Sequence, residues 1–571
     1  MNTTRRRLMR NAAVMGAATG LLRMPMAAFA QDATPAATGE VVKSLTREEF
    51  EAQIIEELGI VEGTPGGTFI DSGVADIQTL MPLLAEEADS LGIAGLIYDQ
   101  LVGGDPTSGQ PAPTGLADSW EIAEDGVTYT FFLNQDAKWH DGTPVTADDV
   151  IFSLDALANE ETGSVYTGSF LAAAKEWSKI DDHTVQIVAN EPLFTFLYDI
   201  VLWVIPKHIW ESIPAADWAT DPGATGADPS RVVGSGPFTY GEWKQGESIT
   251  VNRNDEYYGK VPYIDSYVRV VWPDQTAVVN ALINGEVDVA GLEPAEVESV
   301  ESVEGIDIEI YPTRGFTYLE YNLDPEVTTM FEDQRVRQAL FYALDRESIV
   351  KDILLDYAEV AVGTQPVISY AYAPEEMTTV YTFDPEKAKA LLAEAAWTDT
   401  DGDGIVDKDG VPMSFEYLYP SGSPTSDQMA AYIQDAWKAI GVDMTPKALE
   451  FPALIEATTT NPTYAIAAYG FGWDATFIQD AMFGCAQYQV GFNDMKYCNP
   501  ALDEINAEAK RTFDEAARRE LLIEATNIVN DEAPVMVLHF GKAIAAYSDR
   551  LKNFKPSAWG GIPLSYTWIQ E

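Results

Sequence analysis

Cysteine is nearly absent. The chain of 571 residues carries two, Cys485 and Cys498, and neither lies near the N-terminus, so a lipid anchor on a leading cysteine is excluded. In an exported chain the pair would close a short-loop disulfide; otherwise both would be buried free thiols. The four histidines, His140, His183, His208 and His539, have no metal-ligand spacing among them. Basic residues are few, 35 against 90 acidic, giving a net charge of -55. A field of that sign repels nucleic acid and anionic lipid and excludes both as principal partners. After the N-terminal region no long apolar run occurs; Leu193–Pro206 is too short to span a bilayer and contains Asp199. His-Glu-x-x-His, Gly-x-Ser-x-Gly, Cys-x-x-Cys and Gly-x-x-x-x-Gly-Lys strings are all missing. A binding protein is therefore expected rather than an enzyme. Catalytic groups can still converge from distant positions, so a secreted hydrolase using two acidic residues is the alternative from another class.

What is present describes a folded, exported chain. Hydrophobic residues make up 46% and charged residues 22%, as in globular proteins, and the length calls for two or more domains. Residues 1–30 read as a twin-arginine signal peptide: Arg5-Arg6-Arg7, an apolar run from Ala12 to Leu22, then Ala28-Phe29-Ala30 before a cleavage point at Gln31. Residues 31–63 read as a linker with a short helix around Arg47–Leu58.

The densest signal is Ala137–Leu157. Val127–Phe131 alternates as a strand, Asp141-Gly142 turns, and Thr146 caps a helix whose first turn holds Asp148 and Asp149. This stretch resembles the signature of the family 5 extracellular solute-binding proteins of ABC importers. Gly66–Ile70, Ile97–Val102, Leu116–Trp120, Val204–His208, Gly234–Phe238, Ala281–Asp288 and Arg335–Val350 follow in that family's order. In the second half Asp333 and Asp384-Pro385 start helices, Ser414–Tyr419, Val442–Leu449 and Tyr464–Tyr469 read as strands, and Gly441 ends a helix striped by Met429, Ile433, Trp437 and Ile440. The alternation predicts an α/β lobe with a partly parallel sheet.

The resemblance implies a two-lobed periplasmic-binding-protein-like α/β fold, type II and cluster C-like. Lobe I would take residues 64–313, with an inserted subdomain at about 100–198, and return at 540–571; lobe II would take 314–539. The chain would cross between lobes near Arg314 and His539. The protein would be a monomeric, soluble receptor in the periplasm or outside the cell envelope. It would deliver a small polar ligand, foremost a short peptide, to an ABC permease; an oligosaccharide is the alternative ligand. No cofactor is required.

Candidate ligand residues follow a predicted strand, where ligands of α/β sheets gather. Phe471, Gly472, Trp473 and Asp474 offer an aromatic surface and an acceptor for an ammonium group. Peptide-binding members of the family carry Trp-x-x-Asp here, its aspartate on the peptide's α-amine. Phe471-x-x-Asp474 keeps that spacing with Phe for Trp, the following Asp-Pro is missing, and registering on Trp473 would bring Thr476 to the acidic position. Core packing for Trp473 and helix capping for Asp474 are the competing roles. Tyr419, Ser421 and Ser423 leave another strand end, and Phe316 and Tyr318 follow the first crossing. Asp399, Asp401, Asp403 and Asp407 alternate around glycines like a structural calcium loop, but without its terminal bidentate Glu; an acidic turn is the simpler alternative.

Overall fold

The computed structural model describes residues 41–570 except 201, 461, 489 and 490. The expected signal peptide lies outside the described residues. Residues 41–63 are not the free linker that their composition suggested. Strand β1 (Val42–Lys43) pairs with Ile122 and Glu121, and helix α1 (Arg47–Leu58) buries Phe50 and Ile54. Thr46 and Glu49 close a capping box, and Arg47 Nε meets Asp118 at 2.9 Å. One capped turn and two apolar residues four apart suffice to dock the helix.

Two larger sheets lie in the first lobe. One, of order β2-β9-β8-β7, joins β2 (Thr68–Gly73) in parallel with β9 (Ser266–Val271); β7 (Phe238–Lys244) and β8 (Ser248–Arg253) complete it. The other is antiparallel, of order β1-β3-β4-β6-β5, built from β3 (Ala117–Ile122), β4 (Thr128–Leu133), β5 (Ala174–Asp181) and β6 (Thr184–Ala189). Helix α2 (Ala147–Ala158) packs on this sheet, and Asp149 accepts from the Thr146 amide at 2.9 Å. Gly234 earns its place by contact rather than by turning: a Cβ there would lie 1.8 Å from the Ile97 carbonyl oxygen. Trp120, Phe131, Trp139 and Leu154 lie in the core of this lobe.

Strands β10 (Val289–Gly291) and β11 (Ile306–Pro312) precede the first crossing. Beyond Thr313 and Arg314 comes β12 (Gly315–Tyr321), then α3 (Gln334–Tyr342), β13 (Ala358–Val360), α4 (Pro385–Glu394), β14 (Ser414–Pro420), α5 (Pro424–Lys438), β15 (Asp443–Leu449), β16 (Ile466–Gly472), α6 (Pro500–Arg511), α7 (Glu515–Glu532) and β17 (Val535–Ser548). The sheet order is β10-β17-β12-β16-β14-β15, with β14 parallel to both β15 and β16. The predicted stripes are buried: Val336 and Leu340 of α3, Ile433 and Trp437 of α5, each 0% exposed.

β17 joins the two halves. Its first part pairs with β12, as far as Thr317↔His539; its second part pairs with β11 from Pro312↔Lys542 onward. One continuous strand and the Thr313–Arg314 connector are thus the two crossings, and the cores on either side are separate. Cys485 and Cys498 are joined in a disulfide inside the second lobe. Among the described residues no helix is long and apolar enough to cross a membrane.

Candidate functional site

The lobes meet face to face. Thr425, one residue into α5, donates to Glu293 of the first lobe at 2.7 Å, and Ser423 stands 3.5 Å from the same carboxylate. At the other end of the cleft Arg511 forks onto Glu191 at 2.7 and 2.9 Å, and the Phe194 amide donates to the Lys510 carbonyl at 2.8 Å. The Arg518 guanidinium lies 3.5 Å from the centre of the Phe194 ring. Trp559 of the C-terminal return sits between Arg314 and Phe477. These contacts hold the two lobes against each other.

Inside the cleft, β16 has one uncovered edge. It pairs with β12 along its whole length, but with β14 only at Tyr417↔Ile466 and Leu418↔Ala467. Beyond that point β14 turns away into the Ser421–Ser423 loop, and Ala468–Gly472 has no strand partner on that side among the described residues. Gly470 and Gly472 are exposed there. Where the two strands part, a cavity of about 240 Å³ opens, roofed from the first lobe by Glu293.

Asp474 stands at the end of this edge. Its carboxylate is exposed, and one oxygen accepts from the Thr476 amide at 2.8 Å and from the Thr476 hydroxyl. It therefore shapes the following turn through that one oxygen. Across the cleft lie Tyr198, whose buried hydroxyl has no partner, and Asp199, bonded to Thr195 at 2.6 Å. Burial lifts the Asp199 carboxyl to about 6; the Thr195 hydrogen bond and Lys510 oppose the rise, and Asp474 and Asp480 add to it. Lys510 pairs with Asp480 at 2.5 Å.

The other expected residues divide. Tyr419 and Ser423 line the cavity, but Ser421 turns to Glu450 at 3.0 Å. Trp473 is not a cleft wall: it is 2% exposed, packs on Phe316 and Phe471, and its indole nitrogen donates to the Thr364 carbonyl at 2.8 Å. Phe316 and Tyr318 are likewise core, 3% and 5% exposed, because their strand is covered on that face. Phe471 is half-buried between Trp473 and Phe492. Asp399, Asp401 and Asp403 place carboxylate oxygens within 4.8 Å of one another. Asp407 is turned to the Thr400 amide and hydroxyl, so it closes the loop instead of joining them. Glu293, Thr425, Asp199 and His539 were not singled out as ligand-site residues by the sequence, and no local pattern marks them.

Residues 113–490 match the model of the bacterial extracellular solute-binding proteins, family 5. The chain belongs to this family. Among its relatives, the oligopeptide-binding protein AppA of Bacillus subtilis is 28% identical over 495 residues, covering 86% of this chain and 89% of that protein. The dipeptide-binding protein of Escherichia coli is 29% identical, covering 77% and 83%. The solved structure of B. subtilis AppA with a nonapeptide superposes with a TM-score of 0.79 at 26% identity, over 89% of this chain and 100% of that one. The family 5 fold accounts for the two lobes, and the protein is a solute-binding receptor of the ABC-importer class.

Proposed function

We infer that this receptor captures a short peptide, holds it between the lobes, and hands it unaltered to an ABC permease. The observation that carries this is the uncovered edge of β16 ending at Asp474. A strand edge offers alternating amide donors and carbonyl acceptors, which an extended peptide main chain satisfies whatever its side chains. The Asp474 carboxylate then takes the α-ammonium group by a charge-assisted hydrogen bond. Two relatives are named for oligopeptide and dipeptide binding, which supports peptide over saccharide.

The closed form would be favoured by a ligand touching both lobes, in proportion to its greater affinity for that form. In this reading the protein works as an exported, soluble monomer sent out by the twin-arginine leader, without turnover and without a cofactor. Mass spectrometry of what co-purifies, followed by calorimetry with free and N-acetylated forms of the recovered molecule, tests it. A peptide that loses most of its affinity on acetylation is the expected result. A bound saccharide, or a peptide indifferent to acetylation, would overturn the assignment.

A further inference from the structure

The cavity between β14 and β16 contains a residue that the peptide reading leaves unused. His539 is 6% exposed, borders the cavity, and neither of its ring nitrogens has a hydrogen-bond partner. Its position follows from a break in the register of β17. Tyr318 opposes Val537 whereas Thr317 opposes His539, so Leu538 is an extra residue. Such a bulge interrupts the alternation of side chains. Leu538 and His539 consequently both border the cavity, and the second would otherwise lie on the opposite face of the strand from the first.

The surroundings define what could enter. Leu354, Met429 and Leu538 supply apolar wall, and Tyr419, Tyr469 and Thr317 bring hydroxyl-bearing side chains. Glu293 comes from the other lobe, so the cavity is complete only when the lobes are closed. Ala468 and Gly470 of the uncovered edge also border it. A ligand lying along that edge therefore passes the cavity mouth. From Asp474 back to Ala468 is roughly six residue steps, or about 20 Å of extended chain. A dipeptide anchored at Asp474 falls short of it, and a chain of about five residues reaches it.

We propose that this cavity is a side-chain subsite for an oligopeptide, in which His539 recognises an uncharged, hydrogen-bonding side chain, foremost a carboxamide, four to six residues from the amino terminus. The proposal rests on the peptide reading above. A neutral imidazole offers one donor and one acceptor, the complement of a carboxamide's carbonyl and amino groups. Burial, which lowers the pKa of His539 to about 4, keeps the ring neutral at physiological pH. A carboxylate side chain would meet Glu293 and be repelled. Closure and side-chain recognition are coupled here, because the lobe contact through Glu293 forms the roof of the subsite.

Calorimetry with hexaalanine and its six single-glutamine variants tests the subsite. Glutamine at one position from the fourth to the sixth is expected to tighten binding about tenfold over hexaalanine, the size of one buried hydrogen bond. In His539→Leu the ratio of the two affinities falls toward one, and in His539→Gln, which keeps a donor and an acceptor, part of it returns. The wild type gives a second readout: the ring-nitrogen resonances of His539 move on binding the favoured variant and stay in place with hexaalanine. A gain at none of these positions, a ratio that survives in His539→Leu, or unmoved ring resonances overturns the subsite. If hexaalanine and all its variants fail to bind, the subsite falls; the peptide reading falls with it only if the molecule that co-purifies is not a peptide.

Discussion

Thr425 and Glu293 are 132 residues apart in sequence and 2.7 Å apart across the cleft. Their hydrogen bond joins the N-terminus of a second-lobe helix to a carboxylate of the first lobe, where the helix dipole adds to the attraction. It bridges the lobes, so any opening between them at this point would break it. Thr425→Ala should therefore shift the ligand-free protein toward open conformations and weaken ligand binding by about 1 kcal/mol, roughly fivefold. Small-angle scattering should show a larger radius of gyration without ligand and an unchanged one at saturation. Equal radii for variant and wild type without ligand would contradict this.

Asp474 keeps one carboxylate oxygen outside its own turn. Asp474→Asn should cost an amine-bearing peptide about 1.5–3 kcal/mol, the range for a hydrogen bond to a charged group. The N-acetylated peptide should bind variant and wild type alike. A loss common to both peptides would mean that the turn, not the ammonium contact, had been damaged.

Asp199 makes stability depend on pH. Its carboxyl is lifted to about 6 from a starting value of 3.8, so the folded chain holds a proton there that the unfolded chain has released. The stabilisation is full below about pH 4 and is lost as pH rises through about 6. Asp199→Asn removes that loss and should raise stability at pH 7 by about 3 kcal/mol, flattening the profile between those limits. Calorimetric melts at pH 4, 6 and 7.5 would check it, at roughly those spacings.

The disulfide joins Cys485 to Cys498, 13 positions along the chain. Restricting the unfolded chain over such a loop is worth about 3 kcal/mol. Chemical denaturation of the Cys485→Ser, Cys498→Ser double variant should show a loss of that order, and reductant should reproduce it in the wild type. Wild-type stability indifferent to reductant would remove the bridge from the stabilising contacts.

Much of the framework was legible because its signals are local. Thr146 at a helix start, Asp384-Pro385 at another, and Gly441 at a helix end act through neighbours three or four residues away. The predicted elements appear as α2 (Ala147–Ala158), α4 (Pro385–Glu394) and α5 (Pro424–Lys438). The stripe of Val336 and Leu340 is buried because a helix turns the same face inward every three or four residues. Residues 41–63 misled because composition registers polarity and not the pairing of Val42 with Ile122.

The sequence alone thus determined the elements, their caps and the family likeness, since each rests on residue type at short spacing. Only the tertiary structure decided which groups face the cleft. It turned Trp473 inward and Ser421 aside, left the edge of β16 open, and set Glu293 and His539 around one cavity. Those outcomes depend on where two strands part, on one extra residue in β17, and on two lobes touching, and none of these is a property of neighbouring residues.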